Sequence, residues 1–287
     1  MSTGIKNQAE ILSKLRIEKL NPMQEKAKNT IHSNENTIIL SPTGTGKTLA
    51  FLLPLIAELD PKNDQIQALI LAPTRELAIQ IEQVIREMGS GYKANAVYGG
   101  RAGAKDRMEL KTLPAILIGT PGRVADRIYR DQFSLEHIST LILDEFDKSL
   151  EIGFEEEMGE IIGQLKHLKK RVLTSATKAE HLPDFVGMEN PVEINFLDEK
   201  IQELKILSVP TPTKDKLDSM IDLIAMQGSK TGIIFCNFKE SIVRVSEYLK
   251  RQNIAHGTFH GSMEQQDRER ALIQFRNGSH QLLLATD

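Results

Sequence analysis

Seven short aliphatic-rich runs limit this chain's fold more than any other feature: "TIIL", "ALILA", "NAVY", "AILIG", "TLILD", "RVLTS" and "VEINF". Each is a few residues long, the length of a buried strand. Between them lie stretches of helical periodicity; in one, Leu77, Ile81, Val84, Ile85 and Met88 recur at helical spacing. Strand–helix alternation with apolar strands predicts an α/β fold, a mostly parallel sheet covered on both faces.

The rhythm breaks near "NFLDEKIQEL". A second set then starts, with strands expected at "LKILSV", "TGIIFC", "GTFH" and "QLLLAT" and helices at "KLDSMIDLIAM", "ESIVRVSEYLKRQ" and "QDRERALIQFR". A boundary near residue 203 gives two domains, 1–203 and 204–287. A length of 287 residues suits that number. Four strands are fewer than a sheet usually has. The second domain therefore reads as incomplete, and the sequence as a fragment.

The one cysteine, Cys236, excludes an intramolecular disulfide and a Cys-rich metal site, and fits a reducing compartment. The first residues lack a signal-peptide layout and no apolar run is long enough to span a membrane, so a cytoplasmic protein is expected. Net charge is −3, which gives no bulk signal for nucleic acid. The distribution says more. Residues 75–130 hold ten Lys/Arg against six Asp/Glu, a net of +4; residues 144–160 hold eight acids and one lysine, a net of −7. A polyanion can use the first stretch locally.

"SPTGTGKT" (41–48) stands between the run "TIIL" and the apolar helix "LAFLLPLIA". Strand, loop, helix is the context a phosphate loop requires. Gly44 and Gly46 let backbone N–H groups turn inward. Lys47 is placed for the β- and γ-phosphates and Thr48 for Mg²⁺. Thr43 and Thr45 complete the expected nucleotide contacts. Ser41 replaces the usual first glycine, and a small residue suffices there. In "TLILDEFD" an apolar strand ends in Asp144-Glu145, at the carboxyl edge where parallel sheets place ligands. Asp144 is placed to hold Mg²⁺ through water, and Glu145 to orient and deprotonate an attacking water. Lys47, Asp144 and Glu145 are the expected catalytic set.

From about Arg16 to Asp287 the chain resembles the DEAD-box RNA helicases. "RIEKLNPMQ", ending in Gln24, is similar to the adenine-reading segment. "SPTGTGKT" matches the phosphate loop, and "DEFD" (144–147) stands where the family has its name motif. "APTRELA" (72–78), "GG" (99–100) and "TPGR" (120–123) resemble the RNA-backbone loops, and "SAT" (175–177) the motif that couples the two sites. "IIFCN", "HGSMEQQDRERALIQFRNG" and the terminal "LLATD" resemble pieces of the second domain. The resemblance implies two RecA-like domains, the second incomplete. It also implies ATP and Mg²⁺ as cofactors and single-stranded RNA and short duplexes as partners. Expected RNA contacts are Thr74, Arg75, Gly99, Gly100, Thr120, Gly122, Arg123 and Thr286. No oligomer signal is present, so a monomer is expected.

Three departures stand out. Phe146 replaces the alanine of the name motif, with both flanking acids kept, and is expected to be a packing change. No aromatic residue precedes Phe51, so adenine recognition rests on Gln24, whose amide offers one donor group and one acceptor. The HRxGR segment, which supplies the family's transition-state arginines, is not among the 287 residues. A polypeptide of these residues is expected to bind ATP and hydrolyse it poorly. Ser175 and Thr177 are expected to bond Asp147 through their hydroxyls and so tie the ATP pocket to the RNA face. The leading reading is an ATP-dependent RNA helicase. The alternative is an ATP-gated RNA clamp or scaffold with little turnover, which has no need of Glu145.

Overall fold

The computed structural model describes residues 6–100, 108, 110–130, 133–178, 181–198, 205–212 and 214–286. The chain divides into two compact units, Met1–Glu203 and Leu204–Asp287. The break expected near residue 203 falls outside the described residues, as do residues 101–107 and 109 of the basic stretch.

In the first unit, α1 (Gln8–Lys14) and α2 (Pro22–Ser33) precede β1 (Asn36–Leu40), α3 (Lys47–Glu58), β2 (Ala68–Leu71) and α4 (Arg75–Met88). Then follow β3 (Ala94–Val97), β4 (Ile116–Gly119), α5 (Pro121–Tyr129), β5 (Thr140–Leu143), α6 (Phe146–Ile152), α7 (Glu155–Gln164), β6 (Lys170–Ser175) and β7 (Val192–Asn195). The seven strands form one parallel sheet in the order β3-β4-β2-β5-β6-β1-β7.

The aliphatic runs are apolar throughout because both faces are covered. Ile39, Ile70, Ile118, Ile142 and Val172 join one core, under α1 to α4. Their neighbours Leu40, Leu69, Leu71, Leu117, Leu141, Leu143 and Leu173 point the other way, into a second core with residues of α5 to α7. Strand β7 lies at the sheet's edge, and only Ile194 of its four residues is buried.

Local signals start the helices. Asn7 and Asn21 each accept a hydrogen bond from the main chain three residues on, and Glu10 and Gln24 return it, so both α1 and α2 begin with a capping box. Thr74 caps α4, and Gly89 closes it at φ +54°.

The second unit holds α8 (Leu217–Gln227), β8 (Gly232–Phe235), α9 (Lys239–Arg251), β9 (His256–Phe259), α10 (Gln265–Arg276) and β10 (Leu282–Ala285). Its three described strands pair in parallel in the order β8-β10-β9. "LKILSV" is not a strand: residues 205–210 have no regular structure, and Ile206, Leu207 and Val209 are exposed. An apolar β-branched run becomes a strand only where a neighbour takes its backbone groups, and no described strand pairs with this one.

Candidate active site

The sheet order sorts the motifs along its carboxyl edge. The segments 98–100, 120–123 and 72–75 follow the neighbouring strands β3, β4 and β2; the segments 144–147 and 41–48 follow β5 and β1, and 175–177 starts on the last residue of β6. Each set is tied to the sheet just beyond the paired residues. Thr120 N–H donates to Val97 O at 3.2 Å and Ala72 N–H to Gly119 O at 3.0 Å. Asp144 N–H donates to Leu71 O at 2.9 Å and Ser41 N–H to Ser175 O at 3.0 Å. Half the edge thus carries the proposed RNA segments and the other half the proposed nucleotide segments, meeting between β2 and β5.

The phosphate loop runs from β1 into α3. Gly44 and Gly46 take φ values of +85° and +87°, a left-handed conformation that glycine adopts without a Cβ penalty. Lys47 is 6% exposed, and its Nζ donates to Ser41 O at 2.6 Å. Burial pulls its pKa below the ordinary lysine value, while Asp144, Glu145 and Asp147 act in the opposite sense. Ser41 does more than fit. Its hydroxyl lies 2.6 Å from Thr45 Oγ1, and the Thr45 hydroxyl donates to Pro42 O at 2.9 Å, which makes Ser41 the donor across the loop. Thr48 is half-buried in the first turn of α3, and Thr43 and Gly44 are exposed.

Gln24 reaches this loop from α2. Its Oε1 accepts from Asn21 N–H at 3.0 Å, and its Nε2 donates to Gly46 O at 3.2 Å. The amide expected to read adenine is therefore engaged by the protein on both ends. One Nε2 proton and one Oε1 lone pair remain for a base.

Asp144 and Glu145 directly follow β5, at its carboxyl end, and a residue the sequence reading missed holds both. Thr174 Oγ1 donates to Asp144 Oδ1 at 2.5 Å and accepts from Glu145 N–H at 3.1 Å. Asp144 is 2% exposed. Burial pushes its carboxyl up to about 6; Glu145 adds to the rise, and Thr174 and Lys47 oppose it. A buried acid short of compensating charge suits a cation. A carboxylate oxygen is the kind of donor Mg²⁺ takes alongside phosphates and water. Glu145 sits in the left-handed region at φ 47°, ψ 53°, a strained conformation for a residue with a side chain.

Segment 175–177 departs from expectation in one residue. Thr177 Oγ1 donates to Asp147 Oδ2 at 2.9 Å, as expected. The Ser175 hydroxyl does not bond Asp147; it donates to Thr177 O at 2.6 Å and closes its own turn. The main chain supplies the second link, with Ala176 N–H donating to Asp147 Oδ2 at 3.3 Å. Phe146 is buried, its ring centroid 6.4 Å from that of Phe185, so it fills core space.

On the other half of the edge, Thr74 Oγ1 is occupied as a cap, accepting from Leu77 N–H at 3.2 Å. The Arg75 guanidinium lies over Gly99, 3.5 Å from where a Cβ would stand. Gly100 takes φ +78° and is exposed. Thr120 precedes α5, and Arg123 in its first turn lies 3.8 Å from Asp126. Gly122 faces Glu157 across α7, 3.7 Å from where its Cβ would stand. Thr286 belongs to the second unit, where its N–H donates to Phe259 O at 3.2 Å.

Residues 21–185 match the DEAD/DEAH box helicase family, and residues 215–287 match the helicase conserved C-terminal domain. The chain belongs to the DEAD/DEAH box helicase family. The DEAD-box ATP-dependent RNA helicase CshA of Geobacillus kaustophilus is 30% identical over 282 residues, covering 96% of this chain and 60% of that protein. The ATP-dependent RNA helicase CshA of Listeria monocytogenes is 33% identical over 286 residues, with 96% of this chain and 54% of that protein covered. The ATP-dependent RNA helicase FAL1 of Lodderomyces elongisporus is 34% identical over 272 residues, covering 92% and 68%. The DEAD/DEAH box chain thus spans little more than half the length of the two CshA proteins. Among solved structures, S. cerevisiae Dbp5 bound to RNA and ADP BeF3 matches with a TM-score of 0.76 and 26% identity, over 99% of this chain and 74% of that one.

Proposed function

We propose that this chain is the ATP-dependent motor of an RNA helicase. Residues 1–203 serve as its RecA-like ATP-binding domain, and residues 204–287 as part of a second RecA-like domain. The observation that carries the reading is the placement of Asp144, Glu145 and Asp147 each within electrostatic reach of Lys47, at the end of a phosphate loop. Along the same sheet edge, the first turns of α4 and α5 carry Arg75 and Arg123.

Thr43, Gly44, Thr45, Gly46, Lys47 and Thr48 take the phosphates of ATP, and Gln24 takes adenine. Lys47 leaves the Ser41 carbonyl for phosphate oxygens. Thr48 and Asp144 would hold Mg²⁺, which supplies neutralising charge on the β- and γ-phosphates when bound. Glu145 orients the attacking water and accepts its proton. Asp147 relays the state of the site to residues 175–177 through Thr177 and the Ala176 amide. Thr74, Arg75, Gly99, Gly100, Thr120, Gly122, Arg123 and, in the second unit, Thr286 contact single-stranded RNA through its backbone, and short duplexes are pried apart. A polypeptide of these 287 residues alone, with no HRxGR sequence, binds ATP and turns it over slowly. We also place the protein in the cytoplasm as a monomer; among the described residues no helix is long and apolar enough to cross a membrane.

The experiment is an equilibrium titration with ADP and a non-hydrolysed ATP analogue. Lys47→Ala is expected to weaken binding about 10- to 100-fold, the worth of a charge-assisted hydrogen bond. Equal affinity of parent and variant removes the loop from the nucleotide site.

The RNA face has its own test. Arg75→Ala and Arg123→Ala are each expected to weaken single-stranded RNA binding to a similar extent for all sequences. Each should also reduce the slope of log affinity against log salt by about 0.7, the value for one phosphate contact on a single strand. A loss confined to one base sequence contradicts backbone recognition.

A further inference from the structure

The geometry points to Asn21 as a positioning residue that, beside Gln24, aims the amides of the phosphate loop at the phosphates of the nucleotide. The inference rests on the reading of Ser41–Thr48 as the phosphate site.

Asn21 has two separable functions. Its Oδ1 accepts from Gln24 N–H at 2.8 Å, which caps α2. Its Nδ2 donates to Thr45 O at 3.0 Å, twenty-four residues away, which capping does not require. Gln24 Nε2 takes the next carbonyl, Gly46 O, at 3.2 Å. Two successive loop carbonyls are thus drawn toward the start of α2.

A trans peptide is planar, with its N–H opposite its C=O. The Thr45 carbonyl shares a peptide with the Gly46 N–H, and the Gly46 carbonyl shares one with the Lys47 N–H. Holding both carbonyls toward α2 turns both N–H groups away from it. Successive amides turned to one side around a left-handed residue form an anion-binding concavity, and Gly46 is that residue at φ +87°. The close approach also needs a glycine: a Cβ on Gly46 would stand 2.5 Å from Gln24 Nε2 and 3.9 Å from Asn21 Nδ2.

A tethered loop has less freedom to lose when the ligand arrives, and that preorganisation strengthens binding. Asn21 acts on the loop, not on the base, so its effect should be independent of which base the nucleotide carries. That separates it from Gln24.

The test compares the parent with Asn21→Ser, Asn21→Ala and Lys47→Ala, using ADP, GDP and inorganic pyrophosphate as probes. Serine keeps the cap, since S-x-x-Q is itself a capping-box sequence, but has no amide to reach Thr45. Asn21→Ser is expected to weaken all three ligands by the same factor, about three- to tenfold, the worth of one neutral hydrogen bond. Its thermal midpoint should fall by no more than the loss of that one bond, since the cap is kept. Asn21→Ala should show the same loss of affinity with a lower midpoint, because the cap is gone as well. Parent-like affinity of Asn21→Ser for all three ligands overturns the inference. So does a loss seen for ADP alone, which would route the effect through the base. If Lys47→Ala also binds like the parent, the phosphate-site reading falls and the tether with it. If only Lys47→Ala weakens binding, the tether alone is wrong.

Discussion

Glu145→Gln is expected to lower RNA-stimulated ATP hydrolysis by about 10²–10⁴-fold, the usual contribution of a general base, while nucleotide binding is kept or slightly strengthened. Glutamine has the same shape and keeps the main-chain bond from residue 145 to Thr174 Oγ1 at 3.1 Å. It must also adopt the same left-handed backbone, so the strain at φ 47° is unchanged. What the substitution removes is a proton acceptor and one negative charge. Losing that charge eases the burial of Asp144, whose carboxyl Glu145 pushes up, and removes an anion near the expected triphosphate. Binding and turnover should therefore move apart. The measurement is single-turnover hydrolysis with RNA beside an equilibrium titration, parent and variant both in a polypeptide that carries an HRxGR segment. Equal hydrolysis rates would deny Glu145 its role and favour the ATP-gated clamp.

Features that depend on neighbours in sequence could be read from the chain. The strand–loop–helix at Ser41–Thr48 is one, since the turn, the helix start and the lysine lie within eight residues. The strands of the first unit are another: an aliphatic run such as "TLIL" serves both cores at once and suits little else. What stayed hidden depends on the order of strands. Thr174 lies thirty residues from Asp144, and becomes its partner because β5 pairs with β6 in the register Leu143↔Leu173. Nothing local in "RVLTSAT" marks Thr174 rather than Ser175 as the hydroxyl that bonds an acid after β5: Thr174 donates to Asp144, and Ser175 turns to Thr177 O instead of Asp147. The Asn21–Thr45 tether was hidden for the same reason, since "LNPMQ" shows a helix start and not what lies across from it. "LKILSV" failed differently. Its composition is that of a strand, but composition does not supply a partner.

Asp144→Asn is expected to stabilise the metal-free, nucleotide-free protein near neutral pH by up to about 3 kcal/mol, at about 1.4 kcal/mol for each unit that burial raises the pKa. The folded carboxyl is pushed up to about 6 from an ordinary 3.8. Between those values the folded protein holds a proton that the unfolded chain has released, so stability falls as pH rises through this window. Below about pH 4 the acid is neutral in both states and the penalty is absent; above about pH 6 it is fully present. Asparagine carries no charge at any pH and can still accept from Thr174. The difference in unfolding free energy between variant and parent should thus be small at pH 4, widen up to pH 6 and stay level beyond. Lys47 offsets part of the gain, because it loses a carboxylate that helps keep it charged in a buried place. Adding Mg²⁺ with nucleotide should reverse the order, since ligands that bind only the folded state raise the parent's stability and the variant lacks the carboxylate to hold the metal. Denaturant unfolding in a chelator across pH 4–8, repeated with Mg²⁺ and ADP, makes the measurement. A gap that does not change with pH, or a parent more stable than the variant in chelator at pH 7.5, would mean that Asp144 carries no burial penalty for a metal ion to relieve.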